Sequence, residues 1–326
     1  LKSLAEKGGI PVAVTLLGVP AFSHDHRLFA GMLGMHGNYA PNVLTNRADL
    51  IIAAGMRFDD RVTGNLKKYA PQARVIHIEI DSSEIDKNVR ADLGINGDVK
   101  EVLTAIFPHI RERKREEWIR EFRILDSTEH EKVIRPETEP EKGDLKMGEV
   151  VKVISEHAGR DAVVVTDVGQ HQMAVARYYH FTDSNTLVTS GGMGTMGFGL
   201  PAAVGAATGT SDRQVIAFIG DGGIQMTLQE LGTIMQYHIP VKIVLLNNSF
   251  LGMVRQWQEM FFNSRYASTE MVNPDFVALA SAYGIPRRKI KNREELKASA
   301  AEMLDSDGPF ILVAEVSRTA NILPMV

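Results

Sequence analysis

Val215-Ile216-Ala217-Phe218-Ile219 is apolar at every position and breaks straight into Gly220-Asp221-Gly222-Gly223. A strand with no polar alternation must be covered on both sides, which in a chain that also contains helices points to a parallel sheet between helical layers. Similar runs stand before and after it. Ala162-Val163-Val164-Val165-Thr166 and Val241-Lys242-Ile243-Val244-Leu245-Leu246 are two, and Thr186-Leu187-Val188-Thr189 and Phe310-Ile311-Leu312-Val313-Ala314 are further companions. Helical stretches are expected before the first of them, at Met147 to His157, and between later ones, at Leu228 to Tyr237 and Glu294 to Leu304. Strand and helix therefore alternate, the grammar of an α/β domain.

The same alternation occupies the start of the chain. Pro11 to Thr15, Leu50 to Ala54 and Val75 to Ile80 are β-rich runs followed by Gly, Asp or Ser punctuation. A charged, helical stretch from Arg111 to Arg123 then gives way to Arg135-Pro136-Glu137-Thr138-Glu139-Pro140-Glu141-Lys142-Gly143, where prolines and charge oppose a packed element. The expected organisation is an α/β domain over residues 1–125, a charged linker over 126–146 and a second α/β domain over 147–326. Each domain should hold a mostly parallel sheet covered by helices on both faces.

Bulk properties narrow the function classes. A chain of 326 residues with 44% apolar residues is long enough for two cores. Its net charge of -4, without clustered basic and aromatic residues, gives no reason to expect nucleic acid as a partner. The absence of cysteine removes disulfides, thiolate nucleophiles and Cys-ligated zinc, and fits a reducing compartment such as the cytoplasm. No apolar run reaches the roughly 20 residues that span a bilayer. A chain that opens on Leu1 and stops at Val326 is expected to be a fragment.

In a parallel α/β sheet, ligands bind outside the carboxyl ends of the strands, so the polar residues that follow buried strands are the informative ones. Asp221 follows one such strand, and Asn247-Asn248 follows the next, with Asp221 and Asn248 27 positions apart. One strand-helix-strand crossover of that length can put both side chains on the same edge. A carboxylate and an amide carbonyl are hard oxygen donors suited to magnesium, and the glycines around Asp221 allow close approach of phosphate. Strand-end turns would also explain an isolated Asp-Gly. The flanking glycines, the doubled Asn and further Gly-rich loops favour a site. A competing reading takes Gly192-Met193-Gly194-Thr195-Met196-Gly197 as a dinucleotide fingerprint with Asp221 as its ribose-binding acid. That role requires neither glycines on both sides of the acid nor the Asn pair one crossover later.

The Gly220-Asp221-Gly222 and Asn247-Asn248 arrangement resembles the thiamine diphosphate motif. Around it, Asp167 to Met173, Ser190 to Pro201 and Gly252 to Trp257 resemble the large catalytic subunit of acetolactate synthases. Leu33-Gly34-Met35-His36-Gly37 and Arg57-Phe58-Asp59-Asp60-Arg61-Val62-Thr63-Gly64-Asn65 resemble that family's FAD-binding central domain, of the biosynthetic type.

The resemblance implies a ligand set. Asp221, Asn248 and the carbonyl of Phe250 would hold magnesium against the diphosphate. Gly169, Gln170, His171, Gly220, Gly222, Gly223, Gly252 and Met253 would line the thiamine diphosphate pocket. Gly194 and Met196 would meet the aminopyrimidine, with Met196 forcing the cofactor's two rings into a V. Met253 and Trp257 would lie near the reacting carbon. FAD would touch Met35, His36, Gly37, Gly55, Arg57, Asp59, Arg61, Glu79, Asp81, Gly97 and Asp98.

The implied reaction is decarboxylation of pyruvate and carboligation to a second pyruvate or to 2-ketobutyrate, in branched-chain amino acid biosynthesis. The family acts as a homo-oligomer, a dimer or tetramer with sites at subunit interfaces, and a small regulatory subunit is a further partner. No side chain of this stretch would activate the thiazolium, because the family's activating glutamate belongs to an N-terminal domain that nothing in this sequence resembles. The chain by itself is therefore expected to be inactive. Other thiamine diphosphate enzymes (glyoxylate carboligase, pyruvate oxidase or decarboxylase) and a binding-only module are the remaining readings.

Overall fold

The computed structural model describes residues 1–210 and 212–325. The chain folds into two compact units, Leu1–Val133 together with the residues from Leu323 onward, and Ile134–Ile322.

In the first unit, β1 (Val12–Val14) pairs in parallel with β2 (Phe29–Met32). A separate parallel sheet takes β3 (Leu50–Ala54), β4 (Arg74–Glu79) and β5 (Leu93–Asn96) in that order. Ile78 lies fully buried with Leu4 and Leu103 on one side of this sheet, while Ala53, Phe58, Tyr69 and Val75 form a second cluster. A helix at Tyr39–Thr45 buries Ala40 and Leu44 against Ala30 and Phe122.

The second unit is built on six parallel strands. They are β6 (Val163–Thr166), β7 (Leu187–Thr189), β8 (Val215–Gly220), β9 (Val241–Asn247), β10 (Arg287–Ile290) and β11 (Phe310–Glu315), in the order β10-β11-β9-β8-β6-β7. The central strands are buried at nearly every position because their two faces serve two layers. Val215, Ala217 and Ile219 of β8 and Val241, Ile243 and Leu245 of β9 pack with Leu231, Ile234, Phe276 and Ala280. The alternate residues Ile216, Phe218, Val244 and Leu246 are equally buried. Each such side chain contributes roughly 1.5–3 kcal/mol on leaving water, so this sheet is the stable frame of the unit.

Two expectations about the segment between the domains are corrected. The helix begins at Glu116, not near Arg111, because the backbone amide of Arg113 donates to the carbonyl of Lys7 and holds residues 111–115 out of the helix. It then runs to Glu129, through a π-helical turn at His130–Ile134 and into a helical turn at Arg135–Thr138. Pro136 stands in the first turn of that last piece, where its missing N–H is not needed. The charges are not all solvated either: Glu137 is buried, with the Lys146 ammonium 3.3 Å away. Only residues 139–146 remain irregular.

Candidate functional site

β6 lies between β7, the next strand in sequence, and β8, the one after that. The chain thus changes direction across the sheet at β6, and the crevice beyond the carboxyl ends of β6 and β8 is where a parallel sheet binds ligands. Gly169, Gln170 and His171 follow β6, Asp221 follows β8, and Asn248 follows β9. Gly220 of β8 pairs in register with Leu246 of β9, so Asp221 and the Asn pair emerge side by side.

Asp221 opens a short helix at Asp221–Ile224 and is 2% exposed. Its Oδ1 accepts from the amide of Gly222 at 3.1 Å, and its Oδ2 from Asn273 Nδ2 at 2.7 Å. Burial raises the pKa of this carboxyl, with the hydrogen bonds from Asn273 and the Gly222 amide opposing the rise. A buried carboxylate supported only by neutral donors is suited to a cation. Asn248 turns its Oδ1 toward the amide of Phe250, at 3.1 Å, while its Nδ2 donates to Gln170 Oε1 at 3.3 Å. Among the described residues no three His, Cys, Asp or Glu side chains gather as metal ligands, so a cation here would rest on amide and backbone oxygens besides Asp221.

His171 is 5% exposed, and its Nε2 has no hydrogen-bond partner. Burial pushes its pKa down to about 4 against the smaller pull of the Asp167 carboxylate, leaving a neutral imidazole at pH 7. A Cβ at Gly220 would stand 2.9 Å from that ring. Glycine at this turn is therefore a steric requirement. At Gly222 a Cβ would meet Leu251 at 2.8 Å, Met271 at 3.3 Å and Met196 at 3.5 Å, which brings the Met196 thioether to this crevice.

Asp167 organises the loop that carries Gly194 and Met196. Its carboxylate accepts from the amides of Gly197, at 3.1 Å, and Gly199, at 2.7 Å. The helix Gly199–Gly209 follows the Gly192–Gly197 pattern, and an internal carboxylate already occupies its first free amide. A dinucleotide's pyrophosphate would need that place, so the fingerprint reading loses its anchor.

Met253 and Trp257 lie one turn apart on the helix Gly252–Phe261, both half-buried, with the Trp257 ring 5.0 Å from that of Phe261. Between them Arg255 is buried, paired with Glu259 at 2.9 Å and lying over the rings of Phe250 and Tyr266.

The family models agree with this layout. Residues 167–314 match the C-terminal TPP binding domain of thiamine pyrophosphate enzymes, and residues 1–106 match their central domain. The chain belongs to the thiamine pyrophosphate enzymes. It is a homologue of acetolactate synthase large subunits. It is 43% identical to the one from Lactococcus lactis subsp. lactis (strain IL1403) over the whole chain and 56% of that protein. It is 41% identical to the isozyme 2 large subunit of Escherichia coli (strain K12), over 97% of the chain and 57% of that protein. It is 40% identical to the mitochondrial catalytic subunit of Saccharomyces cerevisiae (strain ATCC 204508 / S288c), over 100% of the chain and 49% of that protein. The chain thus spans about half the length of the curated relatives it matches.

The central domain of this thiamine pyrophosphate enzyme places its candidates on the carboxyl edges of β2 to β5. Met35, His36 and Gly37 form a turn after β2 that is tied to the loop after β3, since the Met35 amide donates to the carbonyl of Arg61 at 2.7 Å. Gly55, Glu79 and Gly97 meet across the sheet, Gly55 donating to the carbonyl of Ile78 and Gly97 to that of Glu79. The carboxylates, however, are engaged locally. Glu79 is buried and accepts from the amides of Ile80 and Asp81. Asp59, Asp81 and Asp98 cap the helical turns that follow them. Arg57 and Arg61, with side chains 56% and 65% exposed, stand at this edge beside Asp59, at 3.6 Å, and Asp60, at 4.0 Å.

Three residues with evident roles went unread in the sequence: Asn273, Gln256 and, as the organiser of its loop, Asp167. Asn273 lies in a segment without regular structure and carries no local signal. Gln256 is fully buried on a helix that also carries Arg255, Gln258 and Glu259, so nothing in the sequence singles it out from its polar neighbours.

Proposed function

We propose that this chain carries the diphosphate- and metal-binding part of an acetolactate synthase that decarboxylates pyruvate and joins the product to pyruvate or 2-ketobutyrate. The observation that carries the reading is the juxtaposition of the buried Asp221 carboxylate and the Asn248 carbonyl at the ends of neighbouring strands beside the switch point. The high identity to acetolactate synthase large subunits supports the choice within the family.

In this reading Asp221, Asn248 Oδ1 and the carbonyl of Phe250 hold Mg2+, as a hard-oxygen set. Thiamine diphosphate, when bound, supplies the electron sink for loss of carbon dioxide from the first keto acid and for bond formation to the second. The chain's own residues position and shield. Gly169, Gly220, Gly222, Gly223 and Gly252 leave room for the diphosphate, and buried, neutral His171 lines the pocket beside it. Gln170 holds Asn248 in place. Gly194 and Met196 support the aminopyrimidine, while Met253 and Trp257 shape the pocket for the second keto acid. FAD lies along the edge of β3 to β5, where exposed Arg57 and Arg61 can pair with its phosphates. The native assembly is a homo-oligomer that a small regulatory subunit joins.

Product analysis with pyruvate, on the enzyme at the full length of its relatives, tests the reaction. Acetolactate is the expected product. Acetaldehyde or acetyl phosphate in its place would transfer the chain to a decarboxylase or oxidase class.

A further inference from the structure

We propose that Gln256 is a positioning residue for the metal site, acting through an amide relay that fixes which atom of Asn248 faces the cation. The inference rests on the proposed magnesium site. It begins at the backbone of Ile322, whose N–H can only donate and whose carbonyl can only accept. The Ile322 amide donates to Gln256 Oε1 at 3.0 Å, and Gln256 Nε2 donates to the Ile322 carbonyl at 2.9 Å. This two-bond clasp leaves Gln256 one orientation. Its Oε1 therefore receives Gln170 Nε2, at 2.8 Å, and the same Nε2 donates to the carbonyl of Ala320 at 3.1 Å. Gln170 must then present Oε1 on its other side, where Asn248 Nδ2 donates to it at 3.3 Å.

The result is that Asn248 turns its NH2 group inward and its Oδ1 away from the relay. Reversing the Gln256 amide would set donor against donor at Ile322 and again at Gln170. All three side chains are at most 4% exposed, so water cannot replace a lost partner without opening the site. Gly252 belongs to the same device, because a Cβ there would collide with Gln170 Oε1 and Asn248 Nδ2.

Gln258, on the same helix, supplies an internal control. It makes an equivalent clasp on Ala267, donating to the carbonyl at 3.1 Å and accepting from the amide at 3.0 Å, with no bond to Gln170 or Asn248. The experiment titrates Mg2+ calorimetrically into the 326-residue chain with saturating thiamine diphosphate, comparing wild type, Gln256→Met and Gln258→Met. Gln256→Met should weaken Mg2+ binding by about 10–100-fold, the usual effect of removing a partner that orients a metal ligand. Gln258→Met should stay within about twofold of wild type.

Equal Mg2+ affinity in wild type and Gln256→Met overturns the relay, as does equal weakening in both variants. A second measurement needs no variant: amide hydrogen exchange at Ile322 in the wild-type chain should slow when Mg2+ and thiamine diphosphate are added, and unchanged exchange overturns the coupling. A wild-type chain that binds neither Mg2+ nor the cofactor would overturn the proposed site itself, and the relay with it.

Discussion

Two sheet edges in this chain have the same architecture and opposite chemistry. At the carboxyl ends of β6, β8 and β9, polar side chains from different loops converge in a buried crevice, where His171 Nε2 is unpartnered and Asp221 meets only neutral donors. At the carboxyl ends of β3, β4 and β5, the acids close their own loops as caps and turns, and exposed Arg57 and Arg61 lie beside acids of their own loop. The lesson is that position at a strand end does not make a site. What differs is whether the polar groups are spent on their own loops or turned into a shared buried crevice.

The contrast is broken most severely by exchanging acids for alanine. Asp221→Ala should weaken Mg2+-dependent cofactor binding by more than about 100-fold, since it removes the anionic ligand of the proposed set. Asp98→Ala, at the other edge, should leave that affinity unchanged in the same titration.

Glycines come next. Gly223→Ala would drive a Cβ into the Asp167 carboxylate and should cost about 3 kcal/mol in urea unfolding, at the upper end of overpacking penalties. Gly55→Ala has open space around it, with Val99 at 3.9 Å as its nearest neighbour, and pays only for its φ of +64°, about 1 kcal/mol.

A pH series sharpens the difference further. The folded-state pKa of His171 is depressed, so its contribution is present above the unfolded value of 6.5 and is lost as pH falls toward about 4. Thermal melts between those pH values should show the second unit losing stability, and His171→Asn should flatten the slope. The smallest effect belongs to the cap at the other edge: Asp98→Ala should cost about 1 kcal/mol of stability, read by chemical denaturation.

Strands buried on both faces were legible in sequence because nothing else requires so many consecutive apolar residues; β8 and β9 were located to within a residue. The edge strands β5 and β10, which lack an apolar run, were not, whereas the edge strands β3 and β7 were. β10 is Arg287-Arg288-Lys289-Ile290, three exposed charged residues and one buried Ile, because an edge strand is protected by charge and not by cover. β5, likewise mostly exposed, gave no run to read. Pro136 misled for a related reason, since a proline that breaks a helix and one that begins a helical turn look alike without knowledge of the turn. Within the site, Asp221 and Asn248 stood out because the spacing of one crossover is a sequence quantity. Asn273 and Gln256 act through the tertiary fold: Asn273 reaches Asp221 from 52 positions away, and Gln256 reaches Gln170 from 86.

The central claim, that the crevice between β6 and β8 is a magnesium-dependent diphosphate site, is tested most directly by calorimetric titration of the 326-residue chain with thiamine diphosphate, with and without Mg2+. Saturable binding that requires Mg2+ is the result expected, with NAD giving no heat. Binding of NAD, or thiamine diphosphate binding indifferent to Mg2+, would contradict it.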